Sequence, residues 1–568
     1  MEFNKFKDVE VYEPKLEDIQ KSIASFKERI AKASSKEEAI NSLLDYFKYE
    51  DQLSSNLTII QIRHTIDVRD EKYDRLSNLL DEILPYISEA SNELELELLN
   101  SPFRKDLEER FGELFFKKLE ISTKTFSKDI IEDLQEENKL SSQYDKLMGS
   151  ALVDYDGKKL PTTRLAPYLT STDREVRHTS SLAFWNWFKE HDEEIGNIYS
   201  SLVTVRDRIA KKLGFKDFTK LGYYRLQRVD YDETDVAKYR DQVYKYIVPL
   251  SEKLFKKQQE RLGINDIKFY DYALKFKSGN PKPVGDPDTL VNNAKKMYSE
   301  MNEVASKYFN FMCDHEMFDL IAKDGKQPGG YMTFIPSLKS SFIFSNFNGT
   351  SGDVDVLTHE FGHSLQGFLS ADIEVPSYRD PGYEVCEIHS MSMEFFAYPW
   401  MNLFFKEEEE KYRFLHLSNA ITFIPYGVAI DEFQHEVYAN PSLSHKERKA
   451  LWRRIEKKYL PHIEYGEEYS FLEEGGFFMK QSHIFGSPFY YIDYTLAQVC
   501  AFSFFVESLK DYDKAFDHYL KFTSLGGTLP FKKILEEGKI PNPMNEGVIS
   551  SLTPVLEDYL SKIDDFKY

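Results

Sequence analysis

The stretch Val354-Asp355-Val356-Leu357-Thr358-His359-Glu360-Phe361-Gly362-His363 places two histidines four residues apart, with a glutamate directly after the first. Residues at this spacing on an α-helix lie about 40° apart around the axis and roughly 6 Å apart along it. Both imidazoles can therefore face one ion, and Glu360 lies close enough to contact a water on that ion. Histidine nitrogen is a preferred zinc ligand, so we predict a helix in which His359 and His363 bind a metal ion.

The residues after this motif narrow the choice of a third ligand. In the three-histidine class another histidine follows six residues after the second, but here Leu369 holds that position. The other solution is a carboxylate on a following helix. Residues 383–396 are helical in pattern and carry Glu384, Glu387 and Glu394 on one face, the last two about 20° from eclipsed. One of these acids can bind the metal while another orients a ligand histidine.

Two other residues of this second helix, a histidine and a cysteine, belong to types that often bind metals. Both lie off the acidic face of the helix. His389 lies roughly 200° round the helix from Glu387, and Cys386 about 100° from the acidic face. We interpret both as packing residues. The alternative for the whole pattern is a pair of unrelated helix histidines beside a solvated acidic face. Apolar residues lie between the acids in the sequence, and this disfavours a fully solvated face.

The chain upstream of the motif has helical and strand-like parts. Residues 14–140 are rich in Leu, Ile, Glu and Lys at helical spacing, which predicts antiparallel helices. The turn signal Asp156-Gly157 places a boundary between an N-terminal helical domain at 1–155 and a domain at 156–568 that contains the metal site. Residues 331–334 and 341–347 have the pattern of short aromatic strands. The predicted fold is mainly α, with a small sheet directly before the metal-binding helices.

Composition excludes several classes of partner. Lys and Arg total 73 against 95 Asp and Glu, and the resulting net charge of −22 repels the phosphate backbones of nucleic acids. The three cysteines, Cys313, Cys386 and Cys500, are far apart, so neither a disulfide framework nor a cysteine-rich structural zinc site is expected. The run Met1–Asp8 lacks the apolar core typical of a signal peptide, and no stretch reaches the roughly 18 apolar residues of a membrane helix. A soluble, cytoplasmic protein without membrane partners is expected.

The motifs together resemble a known family. Phe347-Asn348-Gly349-Thr350, the run 359–363 and Glu387-Ile388-His389-Ser390 are similar to the oligoendopeptidase F and thimet-oligopeptidase group of zinc peptidases, over roughly residues 320–500. This resemblance implies that Glu387 is the third ligand of one Zn²⁺ per chain, with Glu394 behind the ligands, in a thermolysin-like helix pair. It also implies a helical ellipsoid with a deep channel that admits flexible oligopeptides and excludes folded proteins.

A downstream segment extends the resemblance to residues 483–494. There His483 and Tyr494 resemble the family's residues that polarise the scissile carbonyl, and Tyr491 is a further candidate. The family often has Gly-Tyr soon after this histidine, whereas this chain has Gly486-Ser487-Pro488. The resemblance therefore implies catalytic roles for His483, Tyr491 and Tyr494, with a loop between them that departs from the family pattern.

These residues predict a zinc-dependent endopeptidase that cuts internal bonds of short peptides, with Glu360 taking a proton from water. An extended substrate is expected to add to the edge of strand 341–347, which contains Phe344, with Gly329 and Gly330 as positions of close approach. Three alternatives stay open: a carboxypeptidase-type exopeptidase, a non-catalytic peptide-binding protein, and a purely structural zinc. The sequence predicts no oligomeric state.

Overall fold

The computed structural model of the protein describes residues 3–323, 325–327 and 329–568. Most of these residues are helical, in agreement with the mainly α prediction. The helices of the N-terminal half are α1 (Leu16–Ala31), α2 (Lys36–Ile66), α3 (Glu71–Asn100), α4 (Arg104–Phe111), α5 (Glu113–Thr125), α6 (Ile131–Gly149), α7 (Ala166–Leu169), α8 (Arg174–Glu190), α9 (Asp192–Lys212), α10 (Phe218–Arg225), α11 (Glu233–Gln242) and α12 (Val248–Leu262).

The C-terminal half of the chain continues the helical series. Its helices are α13 (Pro287–Met301), α14 (Glu303–Asp314), α15 (Gly352–Ser370), α16 (Tyr383–Phe396), α17 (Met401–Phe405), α18 (Glu409–Ala439), α19 (His445–Tyr459), α20 (Ser470–Glu473), α21 (Ser482–Gly486), α22 (Tyr491–Ser508), α23 (Tyr512–Thr523), α24 (Phe531–Glu537) and α25 (Val548–Ser561). Among the described residues, no helix is both long enough and apolar enough to span a membrane.

Local sequence explains where several helices begin. The side chains of Ser35, Asp70 and Asp173 each accept a hydrogen bond from a backbone N–H in the first turn of α2, α3 and α8. At the start of α19, Ser444 and Glu447 form a capping box in which each side chain accepts from the other's backbone N–H. Such caps satisfy amide donors that have no partner within the helix, so short polar side chains fix the helix boundaries.

The chain forms two compact units, each made of three segments. The first unit comprises Met1–Lys124, Lys282–Glu409 and Glu507–Ile540, and the second comprises Thr125–Pro281, Glu410–Val506 and Pro541–Tyr568. Each unit combines segments from both sides of residue 155. The division of the sequence into domains at 1–155 and 156–568 therefore stays a prediction.

The second unit contains a two-stranded hairpin whose turn is the Asp156-Gly157 pair predicted from the sequence. Its antiparallel strands are β1 (Leu152–Tyr155) and β2 (Lys158–Pro161). Between them Asp156 and Gly157 have positive φ angles of 51° and 70°, as a two-residue type I′ turn requires. The turn was predicted but the strands were not, because these short segments show no clear alternation of apolar and polar residues.

A three-stranded sheet in the first unit precedes α15. Its strands are β3 (Phe318–Ile321), β4 (Tyr331–Ile335) and β5 (Ser340–Phe347), in the order β3–β5–β4. β5 runs parallel to β3 and antiparallel to β4. The strands predicted at 331–334 and 341–347 are confirmed, whereas β3 was not predicted. The expected addition of a substrate to β5 is wrong, because both edges of β5 are already paired.

The turn between β5 and α15 fixes where the metal-motif helix begins. The carboxylate of Asp353 accepts hydrogen bonds from the backbone N–H groups of Asn348 and Gly349, at 2.9 and 2.8 Å. Further along α15, a Cβ placed on Gly367 would lie 2.9 Å from the Phe334 ring and 3.1 Å from Ser341 Oγ. α15 therefore lies directly against the sheet, and a glycine permits this close approach.

Candidate metal centre

Gly362, inside the His-Glu-x-x-His motif, allows α15 and α16 to cross closely. A Cβ at this position would lie 2.6 Å from the carbonyl oxygen of His389 and 2.7 Å from Cα of Ser390. Both neighbours are backbone atoms of α16 and cannot rotate away as a flexible side chain can. The missing side chain of Gly362 therefore sets the distance between the two helices that carry the candidate ligands.

The crossing brings the three predicted ligands together in the first unit. One possible ligand atom from each of His359, His363 and Glu387 lies within 4.8 Å of the others. Glu387 Oε2 is 3.3 Å from Nε2 of His359 and 3.6 Å from Nε2 of His363. Two imidazole nitrogens and one carboxylate oxygen are a donor set that catalytic zinc sites use, with a fourth position left for water. The cluster therefore fits zinc.

Glu394 orients the first of these histidines. Its Oε1 lies 2.6 Å from Nδ1 of His359, so Nδ1 donates to Glu394 and the other ring nitrogen, Nε2, faces Glu387. Burial lowers the pKa of His359, but the contacts with Glu387 and Glu394 outweigh it and raise the pKa well above the ordinary value. Glu394 thus has the position expected of a residue that orients a ligand.

Glu387 is held as a carboxylate by its neighbours. Burial raises its pKa, but the two imidazoles outweigh burial and hold the pKa of Glu387 well below the ordinary value. Ser390, one turn further along α16, donates to Glu387 Oε2 at 3.0 Å. The motif Glu-x-x-Ser carries this contact, but its role was not identified from the sequence because the Ser390 side chain could equally have bonded the helix backbone.

Glu360 follows His359 on α15 and is buried, with 9% of its surface exposed. Burial raises the pKa of its carboxyl group above the ordinary value, against the lowering effect of His359 and His363. A buried carboxylate next to a metal site is placed to exchange protons with a bound water. Glu360 therefore interacts electrostatically with all three candidate ligands.

His389 and Cys386 are not members of the cluster of candidate ligands. The His389 ring packs against Phe522, with ring centroids 5.1 Å apart, and its Nδ1 lies 3.2 Å from Thr523 Oγ1 of α23. Burial lowers the pKa of His389 to about 3. Cys386 donates to the carbonyl oxygen of Pro381 at 3.5 Å. Both residues make packing contacts, as the helical geometry of α16 had indicated.

His483, Tyr491 and Tyr494 form a separate aromatic group in the second unit. The ring centroid of His483, on α21, lies 4.9 Å from that of Tyr491 and 5.8 Å from that of Tyr494, both on α22. Tyr490, which the sequence had not singled out, joins them at 5.9 Å from His483. Burial raises the pKa of Tyr491, so its phenol stays protonated and able to donate.

Two buried arginines hold the backbone of α21 and of the loop that leads from it to α22. Arg206 donates to the carbonyl oxygens of Ile484 and Phe485. Arg228 donates to the carbonyl oxygen of Phe489 at 2.7 Å and to Asp493 Oδ1 at 2.6 Å. Phe489 is a non-glycine residue with φ of 67°, a strained conformation that persists only when its surroundings enforce it. These contacts fix the loop whose sequence departs from the family pattern.

Gly329, Gly330 and Phe344 lie at the sheet of the first unit. The Phe344 side chain is 1% exposed and its ring stacks on Tyr331, with centroids 4.9 Å apart. Direct contact of this ring with a substrate is therefore not supported. A Cβ on Gly330 would lie 3.4 Å from the carbonyl oxygen of Phe344 and 3.8 Å from Val356 of α15. Gly330 thus precedes β4 at a point where the sheet and the motif helix are close.

Comparison with known proteins identifies similar peptidases. Residues 6–126 match the peptidase M3 N-terminal domain, and residues 168–553 match peptidase family M3. A solved structure of PZ peptidase A with an inhibitor is 46% identical, covers 99% of this chain and 100% of its own, and superposes with a TM-score of 0.94. A candidate oligoendopeptidase F from Bacillus anthracis str. Ames is 42% identical over 100% of both chains, with a TM-score of 0.90.

A curated relative gives a more distant match. The oligoendopeptidase F homolog of Mycoplasma genitalium is 23% identical over 254 residues, which is 43% of this chain and 40% of that protein. The matched part thus spans less than half the length of this relative.

The fold and the cluster define a predominantly helical protein with a candidate metal centre of two histidines and one glutamate. The family match extends over more than half of the sequence, at residues 168–553. The chain belongs to peptidase family M3, which confirms the resemblance drawn from the motifs.

Proposed function

We propose that the protein is a zinc-dependent endopeptidase that hydrolyses internal bonds of short peptides. The observation that carries this proposal is the cluster of His359, His363 and Glu387, whose candidate ligand atoms lie within 4.8 Å of one another. The orientation of His359 by Glu394 at 2.6 Å gives further support. Membership of peptidase family M3 supports the peptidase activity.

His359, His363 and Glu387 would hold one Zn²⁺ per chain. When bound, this ion supplies a Lewis acid that polarises a carbonyl oxygen and lowers the pKa of water to about 7. The Glu394 carboxylate keeps the His359 proton on Nδ1, so that Nε2 is free to bind. Ser390 holds one oxygen of Glu387 in place. The side chains around the ligands therefore keep the site ordered before substrate enters.

Glu360 is the proposed general base. Its carboxylate takes the proton from the attacking water and then delivers that proton to the departing amine. Burial beside the ligands excludes bulk water from this carboxylate, and raises its pKa towards the range where a carboxyl group can both accept and return a proton.

His483 and Tyr494 are the proposed donors to the oxygen of the scissile carbonyl, which gains negative charge during attack. Tyr491 is a third candidate from the same aromatic group. Preorganised donors of this kind stabilise the charge that develops in the transition state, and removing one typically costs about 10²–10³ in turnover. The raised pKa of Tyr491 supports its role as a protonated donor.

The substrate backbone is proposed to pair with β4 instead of β5. Among the described residues of the sheet, β4 lies at an edge, because β5 is its one neighbour. An edge strand offers unpaired N–H and C=O groups to an extended peptide, and this gives affinity with little demand on sequence. Gly329 and Gly330 lead into β4 and leave room for such a backbone.

The test compares an end-blocked peptide of about ten residues with a folded protein as substrates, with and without a chelator. Mass spectrometry should show internal cuts in the peptide, an intact folded protein, and loss of cutting with the chelator that added Zn²⁺ restores. Release of terminal residues alone would indicate an exopeptidase. Equal cutting of both substrates would contradict a preference for short peptides, and insensitivity to the chelator would contradict the metal mechanism.

A further inference from the structure

The ring of His483 has its Nδ1 occupied by a neighbouring amide. Gln481 Nε2 lies 2.7 Å from His483 Nδ1, and the hydroxyl group of Tyr426 donates to Gln481 Oε1 at 2.7 Å. Gln481 is 9% exposed. The three residues therefore form a chain of hydrogen bonds, from α18 through Gln481 to the start of α21, inside the second unit.

The chemistry of an amide determines which way these hydrogen bonds run. The NH₂ group of glutamine has hydrogens to donate and accepts nothing, whereas its oxygen only accepts. Tyr426, as a donor, binds the oxygen and so turns the NH₂ group towards His483. Nδ1 must then accept with its lone pair. A neutral imidazole carries one proton, which in this arrangement has to be on Nε2.

We propose that Gln481 is a positioning residue that holds His483 as a neutral imidazole with its proton on Nε2, and that Tyr426 fixes the orientation of the Gln481 amide. This inference rests on the proposed function, in which His483 donates a hydrogen bond to the oxygen of the scissile carbonyl. With Nδ1 bound to Gln481, only a protonated Nε2 can donate to that oxygen. The opposite tautomer would direct a lone pair at the carbonyl oxygen and repel it.

Three aromatic contacts of the ring fit a neutral histidine. Tyr490 contacts it from the preceding loop, and Tyr491 and Tyr494 from α22, at centroid distances of 5.9, 4.9 and 5.8 Å. These contacts are with phenols, and burial raises the pKa of Tyr491 so that its phenol stays uncharged. An amide donor 2.7 Å from Nδ1 opposes a second proton on the ring, because two N–H groups would then point at each other.

The test reads the protonation of each ring nitrogen by ¹⁵N NMR of the full chain labelled at histidine, with the His483 signals assigned by their loss in His483→Asn. At pH 7 the wild-type protein should show an unprotonated Nδ1 and a protonated Nε2. In Gln481→Glu the carboxylate can only accept, so Nδ1 should become protonated. The matched control is Gln143→Glu on α6, an exposed glutamine, which should leave the His483 signals unchanged.

A kinetic arm uses Tyr426→Phe, which frees the amide to turn, so that its oxygen can accept a hydrogen bond from a protonated Nδ1. We expect kcat on the blocked peptide to fall about three- to tenfold while KM stays the same, since one orienting hydrogen bond is lost. Circular dichroism and thermal unfolding confirm that each variant is folded. Loss of dispersion in the NMR signals would identify a misfolded variant. In that case the wild-type spectrum alone tests which nitrogen of His483 is protonated.

The outcomes separate this inference from the proposed function. A wild-type Nδ1 that carries a proton at pH 7 would overturn the inference, as would an unchanged His483 spectrum in folded Gln481→Glu. The spectra need neither substrate nor turnover. An inactive protein with the expected spectra would therefore count against the proposed function alone.

Discussion

Glu394 and His359 lie on different helices, yet Glu394 Oε1 is 2.6 Å from Nδ1 of His359. Removing the charge of this carboxylate should weaken metal binding, because such partners fix the tautomer of a ligand histidine and make it more basic. We expect Glu394→Gln to lower zinc affinity by about 10- to 100-fold. Titration with a competing chelator measures the affinity. The exposed Glu407→Gln is the control, and equal affinity in both variants would contradict the assigned role.

The close crossing of α15 and α16 gives a prediction about Gly362. A Cβ there would meet the backbone of α16 at 2.6 and 2.7 Å, so Gly362→Ala should push the helices apart. Overpacking of this kind typically costs about 1–3 kcal/mol in the free energy of unfolding. Zinc content should fall as well, because Glu387 moves away from the histidines. Calorimetry and metal analysis of the purified variant measure the two effects.

The control for this substitution is Gly149→Ala at the end of α6, where an added Cβ meets nothing within 4 Å. Alanine is favoured over glycine in helices by about 1 kcal/mol, so the control should be neutral or slightly stabilised. A Gly362→Ala protein with normal stability and full zinc content would show that the helix crossing has more room than the structure indicates.

The buried ion pair between Arg228 and Asp493 should contribute strongly to the stability of the second unit. Both side chains are 0% exposed. Truncation of one partner leaves the other charged and buried, which typically costs about 3–5 kcal/mol. We expect this loss for Arg228→Met in urea unfolding, and partial recovery when Asp493→Leu removes the second charge.

An exposed pair provides the comparison. Arg75 and Glu13 are 58% and 50% exposed, and exposed pairs contribute about 0–1 kcal/mol. Arg75→Met should therefore change the free energy of unfolding little. A similar small change in Arg228→Met would mean that water reaches the inner pair.

The metal motif, the acidic face of the following helix and two of the sheet strands were predictable from the sequence because these are local patterns. The choice of Glu387 among the acids came from the family resemblance. Glu387 and Glu394 were visible through their helical spacing, and β4 and β5 through their aromatic alternation. The pairing of β5 on both sides was not visible, because strand order depends on contacts distant in sequence. The same limit hid Gln481 and Tyr426, which lie 55 residues apart. The role of Gly362 was hidden too, since the helix that it touches is not part of the motif.

The pH dependence of stability should contain a contribution from Glu50 on α2. Burial, with the nearby Asp51 and Glu95 carboxylates, raises its pKa from 4.5 to about 7. Between these values the unfolded chain loses the proton that the folded chain keeps. The contribution of Glu50 to the free energy of unfolding therefore falls by at most about 3 kcal/mol as the pH rises from 4.5 to 7. Above pH 7 this contribution is constant.

The variant Glu50→Gln removes this titration. Relative to wild type, its free energy of unfolding should be higher at pH 8 than at pH 4.5, measured by urea unfolding at both pH values. The exposed Glu37→Gln on the same helix controls for the change from acid to amide. A Glu50→Gln effect that is identical at the two pH values would contradict the burial of this carboxyl group.

We propose that a zinc ion held by His359, His363 and Glu387 acts together with Glu360 to cut peptides. The most direct test of this proposal measures zinc per chain and turnover of the blocked peptide in wild type and Glu360→Gln. We expect one zinc in both proteins, and turnover in the variant lower by at least about 10³-fold, because the general base is lost while the ligands remain. Wild-type turnover in Glu360→Gln, or an active wild-type protein without zinc, would contradict the account.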